Sequence, residues 1–244
     1  MLLQRPDHLF WLDRNSQPFD HCVVDNFLLP EVVREVASEF LHYDDPRWLY
    51  YDTVVENKKT CDNWRVFPPV TYRLLSYLCS ADWCDHLGRM LRVNVKPDPG
   101  LHGGGWHAHG SGGNLNPHLD YSIHPKLKLQ RKLNIIIYLT PMYQESWGGH
   151  LGLWSDHNGE PGELVKEVAP LFNRAVIFDT TQMSWHGMSR RLALPPDKQR
   201  KSLAVYYLCK PAHDVDKRGR ALFAPRVEQR GDAAVAQFIQ ERSK

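Results

Sequence analysis

His118 and Asp120 stand two positions apart in a chain of 244 residues that holds 13 histidines. On an extended strand residues i and i+2 share a face, so this imidazole and this carboxylate can meet one metal ion. A bare His-x-Asp arises easily by chance. The plain reading is a strand-end histidine held by a hydrogen bond and a turn aspartate. A second histidine changes the weight of the pair. His186 follows the apolar stretch Arg174-Ala-Val-Ile-Phe178 and supplies a third candidate ligand. Two imidazoles and one carboxylate on one face of an octahedron leave three positions open, a set that suits ferrous iron.

Such ligands need a rigid strand scaffold, and the middle of the chain reads as one. Residues 131–140 form a β-branched apolar run. Residues 91–96, 118–123, 150–154, 163–168, 174–179 and 200–208 read as further strands, with Gly/Pro/Asn turns between them. Before them, Phe19 to Phe27 reads as a strand. A helix opens at Pro30, with Val32, Val33, Val36, Ala37 and Phe40 on one face. Residues 44–67 look irregular and aromatic, either functional or folded under the loop as a satellite core. Residues 69–91 suggest two helices broken near Ser80-Ala-Asp82, with Asp82 as a cap. Residues 101–117 hold six glycines between 103 and 113 and suggest a mobile, substrate-facing lid. In that lid His102, Trp106, His107 and His109 are candidate substrate contacts, or else solvated loop residues. Residues 232–241 read as a short amphipathic helix with Val235, Phe238 and Ile239 on one side. The expected fold is mainly β with flanking helices, a double-stranded β-helix or cupin-like jelly roll. It is expected as one domain over 1–244, with supporting elements at 19–91, the β-helix at 92–208 and an extension at 209–244.

A net charge of +2 with a pI near 8.2 does not argue for nucleic-acid binding. No apolar run suggests a membrane span or signal peptide. Five cysteines without a C-x-x-C pair suggest a reduced, cytoplasmic setting. Oligomeric state is not legible.

The order His118, Asp120, His186, Arg200 resembles the 2-oxoglutarate/Fe(II)-dependent oxygenase superfamily, in its prolyl-hydroxylase-like branch, over roughly residues 90–208. Ile137-Tyr-Leu-Thr140 is similar to that family's Tyr-Leu-Asn strand end. Trp147-Gly-Gly-His-Leu151 is similar to its Gly-Gly-x-Leu, and Arg200-Lys-Ser202 to its Arg-x-Ser. The resemblance implies that His118, Asp120 and His186 bind Fe(II), and that Arg200, with Tyr138 and Ser202, binds the distal carboxylate of 2-oxoglutarate. A guanidinium grips such a carboxylate bidentately; Arg190 and Arg191 rank below Arg200 as rivals. Tyr138 reads equally as a core tyrosine. Thr140 and His150 depart from the family pattern at positions that are not ligands. Halogenating relatives carry a small residue at the place of Asp120, so the expected reaction is C–H hydroxylation with O2, releasing succinate and CO2, with ascorbate as a supporting reductant. A small-molecule substrate is the leading expectation. A peptidyl prolyl substrate, a silent ligand-binding β-helix and a metal-dependent enzyme without 2-oxoglutarate are the alternatives.

Overall fold

The computed structural model describes residues 2–3 and 14–243. The chain runs β1 (His21–Val24), α1 (Pro30–Ser38), β2 (Leu49–Asp52), β3 (Glu56–Cys61), α2 (Pro69–Leu78), α3 (Ala81–Leu91), β4 (Lys96–Pro97), β5 (Gly105–His109), β6 (Asn114–Leu115) and β7 (His118–Leu119). It continues with β8 (Gln130–Tyr138), β9 (Leu151–His157), β10 (Glu160–Val168), β11 (Ala175–Asp179), β12 (His186–Met188), β13 (Arg200–Cys209), β14 (Leu222–Phe223) and α4 (Ala233–Ser243). All pairings are antiparallel. One sheet runs β1-β11-β8-β13-β5-β3-β2, with β4 on β13 and β6 on β3. The other runs β10-β9-β12-β7-β14. This is the expected double-stranded β-helix with flanking helices.

Alternation along the strands separates two interiors. Leu133, Ile135 and Ile137 of β8 and Leu203, Val205 and Tyr207 of β13 face the helices and form the main core with α1, α2 and α3. Tyr138, Leu151, Leu153, Val176 and Phe178 fill the space between the sheets. Helix α1 starts on Pro30, whose missing N–H is no loss in a first turn. The Glu39 carboxylate just past α1 accepts from Val70 N (2.9 Å) and Thr71 N (2.6 Å), capping α2 with negative charge.

Several local expectations are corrected. Residues 91–96 are not a strand. Helix α3 runs through Leu91 and stops on Arg92 at φ 55°, leaving only the two-residue β4. The cap of α3 is Ser80, which accepts from Trp83 N, rather than Asp82. Residues 44–67 contain the hairpin β2–β3, which extends the larger sheet. The aromatics there divide, since Trp48 packs against Phe40 and Trp106 while Tyr50 is exposed. Strand β7 is two residues long rather than six, because Arg218 draws the chain away by bonding the Asp120 carbonyl and Ser122.

The largest correction concerns residues 101–117, which are not a mobile lid. Strand β5 lies inside the larger sheet, between β13 and β3. Its glycines permit close approach rather than motion. Gly105 sits at φ 78°, and a Cβ there would lie 2.2 Å from the Cys61 carbonyl oxygen; at Gly104 it would lie 2.7 Å from that of Ala204. A glycine-rich run can thus mark backbone crowding inside a sheet as well as a loop.

Candidate active site

Strands β7 and β12 pair antiparallel with His118 directly opposite His186. This one register sets the two rings 4.3 Å apart, centroid to centroid. Each ring is fixed from behind. His118 Nδ1 lies 2.9 Å from the Asn116 carbonyl and His186 Nδ1 lies 2.8 Å from that of Ser184. A carbonyl only accepts, so both Nδ1 atoms carry the proton and both Nε2 lone pairs turn inward, as metal-binding imidazoles require. Asp120 completes the group. Its Oδ1 is 3.9 Å from His118 Nε2 and its Oδ2 is 3.9 Å from His186 Nε2. All three donors lie within 4.8 Å of one another. Asp120 Oδ2 is buried with no hydrogen-bond partner, an arrangement that is costly unless a cation takes it.

Burial sets the charge states. It pushes the His118 pKa down to about 3, helped by His186, so the ring is neutral and ready to ligate. His186 is lowered by the same cause. For Asp120 burial acts upward, but Arg131, His186 and His118 outweigh it and hold the carboxyl below its ordinary value.

Arg131 was not singled out by the sequence. Its Nη1 is 3.1 Å from Asp120 Oδ1, and its guanidinium is sandwiched between the rings of Tyr121 and Tyr206 at 3.5 and 3.3 Å. Strict alternation would place Arg131 with Leu133 and Ile135 in the helix-side core. A bulge prevents this. Tyr207 pairs with Leu133 but Leu208 pairs with Arg131, so Lys132 is an extra residue that turns Arg131 to the other face.

The triad lies in a cavity of about 260 Å³ between the sheets. Arg200 lines it, 5% exposed. Its Nε donates to the Gly149 carbonyl at 2.9 Å, and no carboxylate reaches its guanidinium among the described residues. Burial lowers its pKa. The Tyr138 ring centroid is 5.0 Å from Arg200 Cζ, and burial raises the pKa of its hydroxyl against the pull of the Arg200 guanidinium beside it. Ser202, His107 and His109 also line the cavity, with Ser202 opposite His107 and Arg200 opposite His109 in the β13–β5 ladder. His102 is exposed at the rim, its ring 5.2 Å from that of Tyr121. Trp106, expected as a substrate contact, is on the opposite face. It is fully buried in the helix-side core, stacked on Phe40 at 4.7 Å and edge-on to Phe67 at 5.1 Å. Strand alternation between His107 and Trp106 is the reason. Arg190 and Arg191 do not line the cavity.

A second unanticipated group stands on β3 and α4. Glu56, 1% exposed, is bridged by Lys58 at 2.8 Å and by Arg242. The period-2 series Glu56, Lys58, Thr60, all lining the cavity, was the available signal. A third is Arg226. It bonds Asn116 Oδ1 and the Leu115 carbonyl before His118, and the Met188 and Ser189 carbonyls after His186. It thus clamps the strands that carry both histidines.

Comparisons with known proteins agree with this geometry. The sequence model of the 2OG-Fe(II) oxygenase superfamily matches residues 104–208. Prolyl 3-hydroxylase OGFOD1 of Xenopus laevis is 39% identical over 64 residues, which are 26% of this chain and 12% of that protein. The alignment therefore spans only about an eighth of that relative's length. In fold, the chain is similar to a prolyl-4-hydroxylase of Pseudomonas putida (TM-score 0.57, 15% identity, covering 79% of this chain and 93% of that one). It is also similar to a prolyl hydroxylase of Trichoplax adhaerens, solved with a peptide of the hypoxia inducible factor oxygen degradation domain (TM-score 0.56, 18% identity, covering 78% and 83%). No helix among the described residues is long and apolar enough to cross a membrane.

Proposed function

From a chain that carries a 2OG-Fe(II) oxygenase core of prolyl-hydroxylase-like build, we propose an Fe(II)- and 2-oxoglutarate-dependent dioxygenase that hydroxylates a prolyl residue in a peptide. One observation supports it above the others. Two inward Nε2 lone pairs and a buried, unpartnered carboxylate oxygen share a cavity with Arg200, a buried cation without a counter-ion among the described residues.

The donor set fits ferrous iron, held by His118, Asp120 and His186. When bound, iron with 2-oxoglutarate and O2 supplies the oxidising power that a C–H bond demands, with succinate and CO2 as co-products. The chain's own residues bind, orient and exclude. Arg200 can grip the distal carboxylate of 2-oxoglutarate, with the Tyr138 hydroxyl donating beside it and Ser202 next to it. The Asn116 and Ser184 carbonyls keep both imidazole protons on Nδ1. Leu151, Ile136, Met188 and Phe223 keep water away.

The prolyl reading draws on the named activities of the relatives. The earlier expectation of a small-molecule substrate remains the second reading, favoured by a cavity of only about 260 Å³. The test combines the protein with Fe(II), ascorbate, 2-oxoglutarate and a prolyl-peptide library, and follows succinate together with a mass gain of one oxygen. A gain on peptides supports the first reading, and a gain on free metabolites alone supports the second. If neither arises, and His186→Ala turns over 2-oxoglutarate as fast as the parent protein, the proposal fails.

A further inference from the structure

The cavity has two cationic poles. At one stands Arg200, which under the proposed function takes the co-substrate's carboxylate. At the other stand Lys58 and Arg242, bridged by Glu56. Two cations against one carboxylate leave a single net positive charge, and no other carboxylate reaches either cation among the described residues. Between the poles lies His109. It is 2% exposed, and its ring is met by the Arg200 backbone but by no side-chain partner among the described residues. His109 is opposite Arg200 on β13. Across β3 its neighbour is Lys58, one step on from the Lys59–Ala108 pair. His107, on the same face, leaves Nε2 buried and unpartnered.

Buried polar atoms are nearly always bonded. Two buried imidazoles met by backbone but by no side chain, in a row that ends at an excess cation, point to a ligand subsite rather than core filling. It also lies in the same cavity as the candidate metal ligands His118, Asp120 and His186. Lys58 is among the charges that act on His118, Asp120 and His186, and Arg242 lies over the Phe223 ring (4.9 Å), which stacks on His118 (5.1 Å).

We infer that Lys58 and Arg242, with His107 and His109 beside them, form a substrate subsite that selects a carboxylate near the carbon to be oxidised. This rests on the proposed function and adds to it the charge of the substrate. Glu56 holds the two cations in place, and its own pKa is lowered because both outweigh its burial. A carboxylate can come from an acidic residue flanking a proline or from the free carboxyl of an amino acid, and the two sources separate by experiment.

The full-length protein loaded with Mn(II) and 2-oxoglutarate is titrated calorimetrically with four probes. Two are hexapeptides alike except for Glu or Gln after a central proline, and two are L-proline and L-prolinamide. The expected result is that one acid binds at least tenfold more tightly than its amide, with the favoured pair naming the source. Lys58→Gln and, separately, Arg242→Gln should erase that preference, leaving the dissociation constant for 2-oxoglutarate unchanged. Lys58→Arg should restore it, which a merely structural lysine has no need to do. Equal affinity for acids and amides, binding of none of the four, or acid preference surviving in both glutamine variants overturns the subsite. Failure of the parent protein to bind Mn(II) and 2-oxoglutarate at all refutes instead the function on which the subsite rests.

Discussion

Two buried arginines do opposite jobs within the same cavity, and substitutions separate them. Arg131 is already paired, with Asp120. Arg131→Met leaves a buried carboxylate alone and should cost about 3–5 kcal/mol of stability, read by urea unfolding of the metal-free protein. Saturating Mn(II) should return part of that loss, since the ion pairs the same carboxylate and stabilises by mass action. If Mn(II) returns nothing, Asp120 is not a ligand. Arg200 has no such partner, so its removal relieves a desolvated charge. Arg200→Met should leave folding nearly intact while raising the KM for 2-oxoglutarate tenfold to a hundredfold, on the order of 1.5–3 kcal/mol for a charge-assisted bond. Arg200→Lys should recover only part, because an ammonium offers no planar fork. An unchanged KM in both variants would remove Arg200 from the co-substrate's site.

At the scale of elements, the clamp matters more than the strands it joins, for β7 and β12 are two and three residues long. Arg226→Met strips donors from Asn116 and from the Leu115, Met188 and Ser189 carbonyls. Each group left buried and unbonded costs about 1–3 kcal/mol, so the melting temperature should fall and Mn(II) affinity should fall with it. A stability loss with Mn(II) affinity intact would show that the clamp does not position the histidines. The same scale explains what the chain's letters disclosed. The convergence of His118, Asp120 and His186, the place of Arg200 in the same cavity and the apolar strands were legible, because hydrophobic runs and period-2 spacing are local. Trp106 was misplaced since the glycines around it looked like a loop, while the crowding that demands them comes from β3 and β13, distant in sequence. Arg131 escaped notice because a single extra residue, Lys132, reverses the face that alternation assigns it. Arg226 bonds groups 37 to 112 residues away and Arg242 one 186 residues away, and nothing local announces either.

For the molecule as a whole, the buried imidazoles set the response to acid. His109 is held well below its ordinary value by burial, Arg200 and Lys58, and burial pushes His118 down to about 3. The unfolded chain takes up these protons near pH 6.5 and the folded chain does not. Metal-free stability should therefore hold above pH 6.5 and drop as pH falls toward 3, by about 1.4 kcal/mol per pH unit for each imidazole. Urea midpoints at pH 7.5, 6 and 5 measure the slope, and a flat profile would mean that water reaches both rings. Arg226 also imposes a sequence of events on biosynthesis. The strands bearing the two histidines are laid down by residue 188, yet their tie is made by a side chain 38 positions later. A growing polypeptide on the ribosome thus holds an unfastened pair of imidazoles until that residue emerges, and metal binding by them is expected only afterwards. Nascent chains arrested at residue 220 should retain no Mn(II), while those arrested far enough downstream to free residue 226 should.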